Sequence, residues 1–219
     1  MNTILVPVKN LDDAKQRLAK VLTAERRRSL AEAMLRDVLD ALAHLNQPEI
    51  VSLVTGDALV TKLASDYGFN VIADHENPGE TAAIAMATQV CADSGSDGVL
   101  VIPADVPLIT SAEIKAILTA APERGTVLVP AADGRGTNAI LRRPPNLFAA
   151  RFGNDSFSPH LESARRTGLP VVILELPGVA LDVDRPDDLA ALLAASGSTR
   201  TQTLVRSWQA VAEAVHAPR

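Results

Sequence analysis

The sequence predicts a single three-layer α/β domain built on a mostly parallel central sheet. Short, strongly apolar runs such as TILVPV (3–8), GVLVIP (98–103) and PVVILEL (170–176) alternate with longer amphipathic stretches, the pattern of strands covered on both faces by helices. A chain of 219 residues, 47% hydrophobic and 21% charged, is long enough to bury one large core. No internal repeat, charge block or low-complexity linker divides it.

TILVPV is the first strand. Thr23 offers an N-cap for a long helix through Leu45, with Leu30, Met34, Val38, Ala41 and Leu45 on one face. IVSLVT, from residue 50, is the second strand, followed by a helix near 57–67 and a third strand, NVIAD (70–74). A helix near 80–93 leads to GVLVIP, the most apolar strand. Thr110 and Glu113 then form a T-x-x-E capping box that opens a helix to about Ala120. TVLVPA (126–131), NAILRR (138–143), a helix near 157–167, PVVILEL and a short LDVD segment follow, then a helix from Asp187 to Ala195. The last helix, Thr203 to His216, shows Leu204, Trp208, Val211 and Val215 at helical spacing, a stripe that packs on its own domain or on a partner subunit. Residues 1–196 are thus expected to form the domain and 197–219 a helical extension, in a monomer or homodimer.

A formal net charge of -5 gives no general attraction for nucleic acid or anionic membrane, so any polyanion must be held by local cations or a metal. The single cysteine, Cys91, excludes an internal disulfide and suits a reducing cytosol; within TAAIAMATQVCADSG it reads as a small buried side chain. MNTILVPVKN has no basic region followed by a long apolar run, and no apolar run approaches about 18 residues, so a cytoplasmic protein is expected. Aromatics, at 3%, are too few for a base-stacking platform.

In open α/β sheets, ligands bind beyond the carboxyl ends of the strands. That rule selects Lys9, Thr55, Asp74, Asp105 and the 133–138 turn. Asp105, in GVLVIPADVPLIT, is either a solvated turn residue or a ligand. In LDVDRPDDLAAL (181–192), Asp182 and Asp184 alternate with Leu181 and Val183, so both carboxylates face one way. Two like charges on one face repel unless a cation lies between them. Oxygen ligands of this kind suit Mg²⁺, which shares its shell with water and substrate phosphates. Asp187 and Asp188 are explained by a helix N-terminus behind Pro186. The loop VPVKNLDDAKQRL (6–18) carries Lys9, Lys15 and Arg17 but no glycine. It is neither a P-loop nor a dinucleotide-binding turn, so either its side-chain cations bind the anion or the loop is a solvated helix start.

Together PVKNLDDAKQRL, PADVPLI, DGRGTNAIL (133–141), FGNDSFSPHLESA (152–164) and LDVDRPDDL resemble the guanylyltransferases that make the deazaflavin hydride carrier coenzyme F-420. More distantly the chain is similar to molybdenum-cofactor cytidylyltransferases and sugar nucleotidyltransferases of glycosyltransferase-A-like fold. The resemblance runs from residue 3 to about 192. It implies transfer of GMP from GTP to a three-carbon phosphorylated carboxylic acid (phosphoenolpyruvate, 3-phospho-D-glycerate or 2-phospho-L-lactate) with release of pyrophosphate. It places two Mg²⁺ ions on Asp105, Asp182 and Asp184. The acceptor acid would lie on Thr137, Gly153 and Ser156, and the triphosphate would face Lys9, Lys15 and Arg17. In PGETAAIAMA, Glu80 and Thr81 stand where relatives often carry a Leu-Asn pair for the nucleotide. Glu80 either accepts from the guanine N1–H and exocyclic amine or is an ordinary first-turn acid.

The residues add chemistry of their own. Gly153 and Ser156 precede a helix whose first turn holds Pro159, and orphan amides at such a terminus suit a small dianion. Alternatively Ser156 or Ser158 merely N-caps the helix, Ser158 being the better cap. His160 touches the acceptor or is a packed neutral histidine, and His44, His75 and His216 show no zinc-ligand spacing. An acceptor phosphate already ionised at neutral pH needs no general base, in keeping with the lack of a Ser/His/Asp set. The rivals are another nucleotidyltransferase, a glycosyltransferase holding a nucleotide sugar on its D-x-D, and a non-catalytic nucleotide-binding domain.

Overall fold

The computed structural model describes residues 1–74, 79–153 and 155–208, and the backbone of the last helix as far as His216. His75 and the side chains of Val211, Val215 and His216 lie outside the described residues. The strands are β1 (Asn2–Pro7), β2 (Val51–Thr55), β3 (Asn70–Ala73), β4 (Gly98–Val101), β5 (Gly125–Pro130), β6 (Thr137–Arg143) and β7 (Val171–Ile173). They form one sheet in the order β3-β2-β1-β4-β6-β5-β7, and β6 alone runs against the others.

The strand sequences show directly why two cores form. In β1, Ile4 and Val6 enter one apolar cluster while Leu5 enters another on the opposite face. The same alternation assigns Leu100 to the first face and Val99 and Val101 to the second. In β5, Val127 and Val129 go to the first and Leu128 to the second. Strands with no polar face must be sandwiched between helices. Helices α1 (Ala24–Ala43), α2 (Ala58–Tyr67) and α4 (Ser111–Ala120) cover the first face; α3 (Glu80–Asp93) and α5 (Phe157–Arg166) cover the second.

Caps set the boundaries. Thr23 accepts from the Arg26 amide at 3.3 Å to start α1, and Asp57 accepts from Leu59 at 2.8 Å to start α2, which Gly68 ends in the left-handed region at φ 72°. Both halves of the Thr110–Glu113 capping box form. Three details depart from the sequence reading. NAILRR is an antiparallel strand, because the short 131–136 connection from β5 can only reverse the chain. PVVILEL forms just three residues of strand, after which Pro177 begins a four-residue helix, α6 (Pro177–Ala180). And Ser158 is no cap: it lies inside α5, with Ser156 at the N-cap position.

After α7 (Pro186–Ala194) the last helix, α8 (Arg200–His216), begins before Thr203 and lies against α1. Buried Asp37 of α1 accepts from the amides of Arg200 (2.9 Å) and Thr201 (3.0 Å) and from the Thr201 hydroxyl (2.6 Å), capping α8 from another helix. Val205 is buried below them, and the Arg26 guanidinium sits 5.3 Å from the Trp208 ring centre.

Candidate active site

The chain leaves β4 through Pro103 and reaches Asp105, whose carbonyl accepts from the Val183 amide at 3.1 Å. That bond joins two acidic segments far apart in sequence. Val183 is wholly buried, so its neighbours Asp182 and Asp184 are turned outward, into the same hollow as Asp105. The hollow, of about 320 Å³, is also lined by Arg17, Glu80, Arg135, Thr137, Gly153 and Ser156. A second hollow of about 300 Å³ adjoins it, lined by Lys9, Lys15, Met34 and the loop after β1. Glu80, Pro103 and Asp105 form the wall that both share.

Lys15 differs most from expectation. Its side chain is only 8% exposed, and its ammonium lies 2.5 Å from Asp105 Oδ2 and 2.7 Å from Asp184 Oδ1, in an ion bridge rather than open to a triphosphate. Two neighbouring carboxylates favour a cation between them, and the 15–18 turn supplies it with Lys15 in the left-handed region (φ 55°). Burial works against the Lys15 charge, yet Asp105 and Asp184 outweigh it and hold its pKa above the ordinary value. Burial also disfavours the Asp184 carboxylate, but Lys15 and Arg17, the latter 2.9 Å away, keep its pKa below the usual range. Asp182 is pushed up, first by burial and then by Asp105 and Asp184. Glu80 is pushed up by burial and then by Asp105.

Among the described residues no three acidic, histidine or cysteine side chains are gathered tightly enough to chelate an ion as they stand. Two observations nevertheless fit a hard cation here. Asp105 Oδ1 is buried with no hydrogen-bond partner, and the Lys15 ammonium marks a position between Asp105 and Asp184 that demands positive charge. Mg²⁺ needs only one or two carboxylates, since waters and phosphates complete its shell.

At the other end of the hollow, Ser156 Oγ accepts from the Thr137 amide at 3.0 Å, tying α5 to the start of β6. Gly153, at φ 130°, takes a conformation open to few other residues. His160 is 1% exposed and neutral: burial, and then Arg142, push its pKa down to about 4. The Thr81 hydroxyl donates to the Phe152 carbonyl (3.4 Å) and accepts from the Phe152 amide (3.1 Å), and that two-way bond ties the start of α3 to the 152–153 loop. Lys9 is exposed at the rim of the second hollow; Thr55 and Asp74 line neither.

The family model described as "Guanylyl transferase CofC like" matches residues 2–219. The chain belongs to this family. It is 38% identical over 190 residues to the phosphoenolpyruvate guanylyltransferase of Conexibacter woesei, covering 86% of this chain and 85% of that one. It is 32% identical over 203 residues to the 2-phospho-L-lactate guanylyltransferase of Methanothermobacter thermautotrophicus, covering 92% and 88%. Its fold is shared with a solved protein of Desulfovibrio desulfuricans G20 described as a nucleotide-diphospho-sugar transferase (TM-score 0.77, 24% identity, 96% of each chain). A cytidylyltransferase of Leptospira borgpetersenii shares it too (TM-score 0.58, 12% identity, 100% and 98%). The protein is therefore a guanylyltransferase, and the relatives do not favour the glycosyltransferase or non-catalytic alternatives.

Several residues of this guanylyltransferase site were not singled out from the sequence. Asn138 donates to Asp182 Oδ1 (3.0 Å) and to the carbonyls of Val179 (3.0 Å) and Ala180 (2.9 Å), so it holds the Asp-x-Asp segment in place. An asparagine opening the otherwise apolar NAIL of β6 was the available signal. Arg135 and Asp155 pair at 2.5 and 3.1 Å across the hollow's rim, which nothing in their spacing announces. Asp188 accepts from the amides of Asp184 (2.9 Å) and Arg185 (2.7 Å), a structural role as expected for the start of α7.

Proposed function

We propose that this guanylyltransferase joins GMP from GTP to a three-carbon phosphorylated carboxylic acid, with release of pyrophosphate, in the formation of coenzyme F-420. The observation that carries the reading is the shared wall. Asp105 stands between one hollow lined by Lys9 and Lys15 and another lined by Arg17, Arg135, Thr137 and Ser156, so two anions can be held on either side of it. The curated relatives at 38% identity are named for phosphoenolpyruvate, which makes that acid the first acceptor to test.

GTP would occupy the hollow of Lys9 and Lys15, with the phosphates directed to Arg17, and the acceptor would lie on Thr137, Gly153 and Ser156. Asp105, Asp182 and Asp184 would hold Mg²⁺, which when bound neutralises the phosphate charge that keeps the reactants apart. Lys9 and Arg17 bind the departing pyrophosphate, and Lys15 holds Asp105 and Asp184 in register. Glu80, on the wall common to both hollows, would accept from the guanine N1–H and exocyclic amine, the alternative being an ordinary first-turn acid of α3. No side chain has to remove a proton, because the attacking phosphate is already ionised. No helix among the described residues is long and apolar enough to cross a membrane, and the lone Cys91 is buried, which accords with a cytoplasmic enzyme. α8 packs on α1 of its own chain, and the enzyme would act as a monomer or homodimer.

Incubation with GTP, Mg²⁺ and each of the three acids in turn, read by pyrophosphate release and product mass, tests the reaction. The expected result is a GMP adduct of one acid, and a loss of at least about 100-fold in rate for Asp105→Asn, measured below that variant's own melting temperature. No adduct with any of the acids overturns the reading, and a near-normal Asp105→Asn rate at saturating Mg²⁺ removes the metal assignment.

A further inference from the structure

The geometry points to His160 as a positioning residue for the acceptor: it turns the hydrogen of the Thr137 hydroxyl away from the imidazole, so that the hydroxyl donates to an anion in the hollow. The inference rests on the proposed acceptor site and deepens it. His160 Nε2 lies 2.9 Å from the Arg151 backbone N–H, which can only donate, so Nε2 is unprotonated and accepting. The proton of the neutral ring is then on Nδ1, which lies 2.9 Å from Thr137 Oγ1 and donates to it. Thr137 Oγ1 is thereby an acceptor from the protein, and its own hydrogen has no partner among the described residues.

Ser156 reaches the same state by a different route, since its Oγ accepts the Thr137 amide at 3.0 Å. Thr137 and Ser156 both line the hollow beside Gly153. Each hydroxyl can therefore donate its O–H to a ligand while the protein engages one lone pair of its oxygen. A phosphate or carboxylate, with only lone pairs, accepts both hydrogens at once, whereas a ligand group that can only donate, such as an ammonium, leaves both without an acceptor. The imidazole is held in this orientation by Phe152, whose ring lies edge-on at 5.3 Å, and Phe152 is held in turn by Thr81. Burial and Arg142 keep the ring uncharged, which the arrangement requires, because a protonated Nε2 would face the Arg151 N–H.

The test separates the two ring nitrogens. His160→Asn keeps an N–H near the Nδ1 position, whereas His160→Gln keeps an acceptor near the Nε2 position and loses the bond to Thr137. The expected result is a KM for phosphoenolpyruvate raised about tenfold in His160→Gln, with the KM for GTP within twofold of the parent and partial recovery in His160→Asn. Thr137→Val should raise the same KM, and adding His160→Gln to it should change little more. Equal KM values in parent and His160→Gln, parallel rises in both KM values, or an undiminished effect in the Thr137→Val background would each overturn the inference. Nitrogen-15 NMR of labelled histidine at neutral pH reads the tautomer without any reaction: Nδ1–H supports the assignment, and Nε2–H overturns it. Should the parent make no product with any acid, the proposed function fails while the tautomer still decides this point.

Discussion

At Lys15, a buried ammonium 2.5 Å from Asp105 and 2.7 Å from Asp184 makes those carboxylates dependent on a single cation. Lys15→Met keeps the stem and removes the charge, leaving two partly exposed acids side by side. A loss of about 2 kcal/mol is expected, below the range for a fully buried pair because Asp105 and Asp184 are 27% and 33% exposed. Mg²⁺ should restore more melting temperature to this variant than to the parent; equal shifts in thermal melts would contradict the account. His160 gives a pH signature. Its folded-state pKa of about 4 lies below the ordinary 6.5, so between those values the unfolded chain takes up a proton that the folded chain refuses. Stability should therefore fall as pH drops from 6.5 to 4, and His160→Asn should show a shallower fall in denaturant titrations. The acidic trio was legible in the sequence because no burial argument accounts for Asp105, Asp182 or Asp184. The partner of Lys15 was not, since Asp105 lies 90 residues away and Asp184 169.

Element boundaries followed local chemistry wherever the signal lay within one turn. The Thr110–Glu113 box is a spacing of three, and it forms as written. The same Glu113 has a second role that no local pattern contains: its Oε1 accepts from the Gly178 amide at 2.7 Å, securing α6 just ahead of Asp182. A Cβ on Gly178 would lie 2.4 Å from Glu113 Oε2 and 2.4 Å from the Leu108 carbonyl, and the backbone oxygen cannot give way. Gly178→Ala should cost about 2–3 kcal/mol and also raise the KM of the acceptor by displacing the Asp182 segment. Urea unfolding with steady-state kinetics checks both, and an unperturbed variant would mean that α6 does not brace the site. β6 shows the converse case, in which an apolar run read correctly as a strand left its direction open until the short turn before it was seen.

Across the whole molecule, one sheet with two apolar faces places the ends of β1 and β4, the 133–138 turn and the 181–188 segment around adjoining hollows. Stability and chemistry are set in different places. Asp37 caps α8 through three bonds of 2.6–3.0 Å and lines neither hollow. Asp37→Ala should lower stability by about 2 kcal/mol and leave both KM values unchanged. A melt beside a kinetic assay separates the two, and a changed KM would mean that the α1–α8 contact reaches the site.

The order of apolar and amphipathic runs determined the α/β class by itself, because burial on two faces leaves a period in the chain that needs no partner to be read. Residue types likewise marked Asp105, Asp182, Asp184, Lys15 and Arg17, which the fold gathers around adjoining hollows. What only the tertiary structure decided was who meets whom: Lys15 between two aspartates, Asn138 behind Asp182, Thr81 on Phe152 and His160 behind Thr137. Side-chain hydrogen bonds act over about 3 Å in space and carry no periodicity along the chain, so their partners exist only once the fold has brought them together.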